Sequence, residues 1–175
     1  MAIMVNYTVQ QGKAYLAAIG NHKPQFASKG FGDDRIKRLE DETSDLEAKD
    51  SSQKAAESQL EELTAEQNKL VARGVEIIRS VQNAGQSAFG KEPAALRDFK
   101  IGQTLGRGVP KMLETLRYFI GLGIKYHDQL MVNGMTEDDI AEIGTVYGQL
   151  TVADAKQENQ KKLKNNATDA EVGSR

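Results

Sequence analysis

Between Asp33 and Ala88 the chain contains no proline, and no glycine before Gly74. Its residues are mostly Glu, Lys, Gln, Ala, Leu and Arg, which lose little rotamer freedom in a helix. This stretch constrains the fold more than any other, because it predicts one very long helix. In its second half Leu60, Leu63, Leu70, Gly74, Ile77, Val81 and Ala84 recur at alternating steps of three and four once Gln67 is counted in the gap. That is a heptad-like, coiled-coil seam. In the first half the seam begins with Ile36, Leu39, Thr43 and Leu46, then meets Asp50 and Gln53 where aliphatic groups are expected. Asp50 with Gln53 resembles a capping box, which would favour a break near Ser51. No glycine or proline marks a turn there, so the unbroken helix is preferred. Unbroken, it spans about 80 Å at ~1.5 Å per residue.

The remaining elements follow from periodicity and stop signals. Val5, Val9, Leu16 and Ile19 share one helical face, and Gly20-Asn21 closes that helix. Asn21 to Gly32, with Pro24, reads as a loop whose Phe26 and Phe31 tuck onto the bundle. Asp33 and Asp34 suit the positive end of the long helix. Gly85 to Gly90 is read as the next turn, and Pro93 opens a short helix through Phe99. Ile101 to Val109 is a glycine-rich loop. Pro110 then starts a helix that carries Met112, Leu113, Leu116, Phe119, Ile120, Ile124, Leu130 and Met131 inward and stops at Gly134. Thr136 with Asp139 is a capping box for a last helix with Ile140, Ile143, Val146, Tyr147 and Leu150 on its core face. Beyond Leu150 the pattern turns polar.

These elements predict an all-α, up-and-down helical bundle, with residues 1–164 as one domain and 165–175 as a disordered tail. The third major helix is expected to descend beside the long one and the last to climb back. That leaves about Glu47 to Ser58 uncovered, an overhanging arm.

Composition removes several function classes. The chain has 175 residues, enough for one real core. A net charge of −2 with both signs interspersed gives no reason to expect nucleic acid as partner. With no cysteine, disulfides, thiolate zinc sites and a cysteine nucleophile are out. The longest apolar run, Tyr118 to Ile124, is far below the ~20 residues that cross a bilayer. No membrane partner is therefore expected, and a soluble, cytoplasmic, bacterial setting is the working expectation.

Bundles often hold di-iron sites built on Glu-x-x-His motifs. The two histidines, His22 and His127, follow Ile19 and Ile124 at that spacing, so neither a metal nor a cofactor is expected. The loop Ile101 to Lys111, with Arg107 and Lys111, could hold an anion on backbone N–H groups. It matches neither the P-loop nor the dinucleotide fingerprint, and Pro110 removes a donor. Gly121, Gly123, Gly144 and Gly148 lie inside helices and mark close helix approach or space beside aromatic side chains. No hydrolase or metalloprotease motif occurs.

Phe89-Gly90-Lys91, Leu96-Arg97-Asp98-Phe99 and Gly134-Met135-Thr136-Glu137-Asp138 together resemble uncharacterised bacterial helical-bundle proteins. The resemblance covers the second half and implies a four-helix up-and-down architecture, with no activity attached.

Two functional expectations follow. The first is a non-enzymatic bundle acting through helix-mediated contacts, as a homodimer joined through Val5, Val9, Ile36, Leu39 and Leu46. The second is a small-ligand-binding bundle, with a pocket between the last two helices at Phe119, Gly123, Tyr126, His127, Gly144 and Tyr147.

Overall fold

A computed structural model describes the backbone over residues 2–172 and the side chains over residues 5–165. The fold is an all-α bundle with one very long helix, and no strand occurs among the described residues. The elements are α1 (Ala2–Asn21), α2 (Lys23–Ala27), α3 (Asp33–Phe89), α4 (Pro93–Asp98), α5 (Val109–Lys125), α6 (His127–Val132) and α7 (Glu137–Val172). α3 is unbroken through Ser51, and Asp50 bonds forward to Lys54 at 2.6 Å instead of capping a new helix. Gly85 lies inside α3 rather than in a turn, and the helix ends one residue past the expected Ala88.

By its contacts the chain divides into two compact units: Met1–Gln59 with Lys164–Arg175, and Leu60–Leu163. The single domain expected over 1–164 did not anticipate this division.

In the first unit α1 packs antiparallel to the beginning of α3. Gly12 abuts Thr43, where an added Cβ would come within 2.6 Å of Oγ1. Lys13 pairs with Glu47 at 2.6 Å, and Lys23 with Asp33 at 2.9 Å. Only Val9, Gly12, Ile19 and Thr43 are buried among this unit's described side chains, so its seam is thin. α2 occupies part of the expected loop; Phe26 and Phe31 meet edge to face at 6.1 Å, and Phe31 stays exposed instead of tucking in. The supposedly bare arm is engaged at both ends, by Lys13 on Glu47 and by Lys164 of α7 on Glu57 at 3.0 Å. α7 continues helical to Val172, into the stretch expected to be a disordered tail; Gly173 to Arg175 lie outside the described residues.

The second unit holds the apolar core. Ile78, Val81, Phe99, Met112, Leu116, Phe119, Leu130, Ile143 and Leu150 are all fully buried. α5 earns its amphipathic pattern: Met112, Thr115, Leu116, Phe119, Leu122 and Gly123 fall on one face. Its direction differs from expectation. Met112 and Leu116 lie against Gly74, whereas Tyr126 lies against Phe89, with ring centroids 5.0 Å apart. α5 thus runs parallel to the second half of α3. The connection between them, α4 plus an extended loop, is long enough to carry the chain back along α3 first. The Gln82 side-chain amide holds that return by donating to the carbonyls of Phe99 and Lys100 at 3.0 and 3.1 Å.

The expected helix from Pro110 to Gly134 is interrupted at Tyr126 (φ −117°, ψ 23°). There the Tyr126 hydroxyl donates to Asp98 at 2.8 Å and its ring packs against both Phe89 and Phe99. Tertiary contacts thus hold a non-helical conformation at this residue. Ile124, just before the break, and Val132, after it, face solvent, so Ile124 is not the inward residue its spacing suggested.

α6 ends in a Schellman motif. Gly134 takes φ 95°, a conformation that costs glycine little, Gly134 N–H donates to Met131 and Met135 N–H to Leu130. Thr136 and Asp139 then form the expected capping box: Asp139 N–H donates to Thr136 Oγ1 at 3.2 Å and Thr136 N–H to Asp139 at 2.8 Å. This short turn makes α7 antiparallel to α3. Arg73 grips Glu142 with two bonds, Gln67 donates to Asp154 at 3.1 Å, and Gln157 to Thr64 at 2.8 Å. The numbers rise on one helix as they fall on the other.

Candidate functional site

The six residues expected to line a pocket between the last two helices divide among core, aromatic cluster and surface. Phe119 is fully buried in the core. Beside Gly123 the space is filled by Ile140 and Ile143, whose methyl carbons lie 3.3 and 3.9 Å from where a Cβ would stand. Tyr126 belongs to the cluster with Phe89 and Phe99, and Tyr147 packs half-buried against the core. Gly144 faces open space, with nothing beyond its own helix backbone within 4 Å of where a Cβ would stand.

His127 is half-buried at the start of α6. Its Nδ1 lies 3.1 Å from Asp128 and its Nε2 2.9 Å from Glu137 on α7. Those two carboxylates, Asp128 first, hold its pKa above the ordinary imidazole value. The arrangement ties α6 to α7 and brings no second acid–base group to a substrate-sized space. Asp98 is a comparable knot. It accepts from Lys125 and Tyr126 at 2.8 Å each, which lowers its pKa and raises that of Lys125. Its backbone carbonyl accepts from Tyr118 at 2.8 Å, and Lys100 stands 4.0 Å over the Tyr118 ring. These groups fasten α4 and its loop to α5. No trio of His, Asp or Glu side chains suited to a metal ion occurs among the described residues.

The two cations of the glycine-rich loop that could hold an anion point in different directions. Lys111 turns to Glu114 at 2.7 Å, and its stem fills the space beside Gly106. Arg107 instead joins Arg79 of α3 along one groove, formed because the loop returns beside α3. Two adjoining hollows of about 390 and 240 Å³ share Val75, Arg79 and Arg107. Neither takes in any of the six expected pocket residues. Arg107 was legible as a loop cation; Arg79 was not, because it sits on the polar face of a helix and only the loop's path brings the two together.

The five residues expected at a dimer contact lie in the first unit. Val9 is buried against its own chain, while Val5, Ile36, Leu39 and Leu46 are half-buried along the same seam. On the opposite side of α1, Tyr7 and Tyr15 are 65% and 59% exposed, with Ala14 and Ala18 between and beyond them also exposed.

Fold and surface together define the class: an all-α bundle protein with one 57-residue helix. No protein-family model, curated protein or solved structure matches the chain. No described helix is long and apolar enough to cross a membrane.

Proposed function

We propose that this is a non-enzymatic bundle protein that works through helix-mediated protein contacts, including association with a second copy of itself. The observation that supports this most is the outward face of α1. One side of that helix packs on α3, and the other presents Tyr7, Ala14, Tyr15 and Ala18 to solvent. A tyrosine supplies a large apolar area with a polar tip, which suits a surface that is wet when free and covered when bound. A symmetric dimer would bury the same face on both copies and remove its apolar area from water. The half-buried Val5, Ile36, Leu39 and Leu46 then flank the contact, and Val9 holds α1 in place behind it.

Light scattering over a concentration series tests the reading. The full chain should shift from monomer towards dimer, and Tyr7→Glu with Tyr15→Glu should weaken that shift by at least about tenfold without loss of helicity. A wild-type chain that stays monomeric at the highest concentration reached removes the self-association.

A further inference from the structure

We infer that the groove between α3 and the loop preceding α5 is a binding site for a small organic anion, a carboxylate or phosphate carried on an apolar body. Its chemistry is independent of the α1 face. Arg79 and Arg107 line both adjoining hollows, so two guanidinium groups serve one groove. Neither guanidinium makes a hydrogen bond or ion pair with any described residue. By contrast Arg73, less than two turns from Arg79 on α3, is held by both Glu142 and Glu76. Glu76, the carboxylate that lines the larger hollow, is therefore already engaged by Arg73 at 3.2 Å.

A guanidinium offers a planar fork of donors that matches carboxylate and phosphate oxygens two at a time. Two such forks without internal partners favour a ligand that brings its own negative charge. The remaining lining decides what carries that charge. Val71 and Val75 from α3 and Leu105 from the loop give the groove apolar walls, and Gln103 adds a neutral polar contact. Inorganic phosphate alone would leave those walls wet, whereas an alkyl stem would cover them. A neutral alcohol would cover the walls and leave both cations unmatched. The loop is fixed before binding: Gln82 holds its first residues by two hydrogen bonds, and the Lys111 stem packs against Gly106 near its end. A preformed wall reduces the ordering cost of binding.

The test is calorimetric titration of the full chain with octanoate, octyl phosphate, octanol and inorganic phosphate. At least one of the two amphiphilic anions should bind saturably and at least about tenfold more tightly than octanol or inorganic phosphate, and the tighter one names the head group. Arg79→Gln and Arg107→Gln should each lower that affinity roughly tenfold, the loss expected for a charge-assisted hydrogen bond. Arg117→Gln, an exposed arginine outside the groove, should leave it unchanged. Because all three side chains are exposed, melting temperature and helicity should match the wild type and exclude misfolding as the cause. Absence of binding by both anions at millimolar concentration overturns the site. So does octanol binding as well as the anions, or affinity unmoved by both groove variants.

Discussion

The two units of this chain are built from similar helices and held together by different means. In Leu60–Leu163 the interior is aliphatic and aromatic, with Phe99 enclosed by Phe89 and Tyr126 and no exposure at all. In the unit containing Met1–Gln59 the described interior amounts to Val9, Gly12, Ile19 and Thr43, and exposed ion pairs such as Lys13–Glu47 and Lys164–Glu57 cross between its helices. Exposed ion pairs contribute about 0–1 kcal/mol each, whereas a buried large apolar side chain contributes about 1.5–3. The comparison teaches that helix content says little about where stability resides. A helix can run through both units and be firmly anchored in only one of them.

The strongest way to break that comparison is to remove a side chain from each interior. Phe99→Ala should cost about 3–5 kcal/mol in denaturant unfolding. Val9→Ala removes two methyl groups from a thin seam and should cost about 1–2 kcal/mol at most. Its effect in hydrogen exchange should be confined to the unit that contains it, residues up to 59 and from 164 onward. Equal losses from the two substitutions, or a Val9→Ala effect spread over both units, would erase the distinction.

Glycines sharpen it next. A Cβ at Gly85 would lie 2.5 Å from the Phe99 ring, so Gly85→Ala should destabilise by about 1–3 kcal/mol although alanine is the better helix former. Gly144 has no neighbour within 4 Å, and Gly144→Ala should stabilise by about 0.5–1 kcal/mol. Opposite signs in thermal melts are the expected result; two gains would mean that the core around Phe99 yields easily.

The smallest effect is electrostatic. Because Asp128 and Glu137 raise the pKa of His127 in the folded state, its contribution is fully present below the unfolded value near 6.5 and is lost as pH rises through the folded value. Melting temperature should therefore fall slightly from pH 6 to pH 8, and His127→Gln should flatten that slope. An unchanged slope in the variant would assign the dependence to other groups.

Much of the helix inventory was legible in the residues, and the reasons are local. The absence of proline over Asp33 to Ala88 and the three-and-four spacing place α3, and Thr136 with Asp139 places the start of α7. Gln67 was legible as a seam position, but its partner Asp154 was not, since a polar residue carries no signal of which polar residue it will meet. The length of α7 was missed for the same reason. Its hydrophobic pattern stops near Leu150, yet Asp154, Gln157 and Lys164 continue the helix pairing through polar contacts. The break at Tyr126 was invisible because nothing in its own sequence neighbourhood forbids a helix. The pocket expected from Phe119, Gly123 and Tyr147 drew on residues that share faces, without knowledge that Ile140 and Ile143 fill the space beside Gly123.

By itself, then, the sequence determined that this chain is helical, where its longest helix runs and which face of each major helix is apolar. Those properties depend on residues within a few positions of one another, which is the range over which backbone propensity and periodicity act. Tertiary structure alone decided that α5 runs parallel to α3, that Asp98 gathers Tyr118, Lys125 and Tyr126, and that Arg79 and Arg107 come to share a groove. Each depends on the path of the Gly90–Gly108 connection, and a flexible connection of that length is compatible with either direction of return until side chains such as Gln82 and Phe99 have packed.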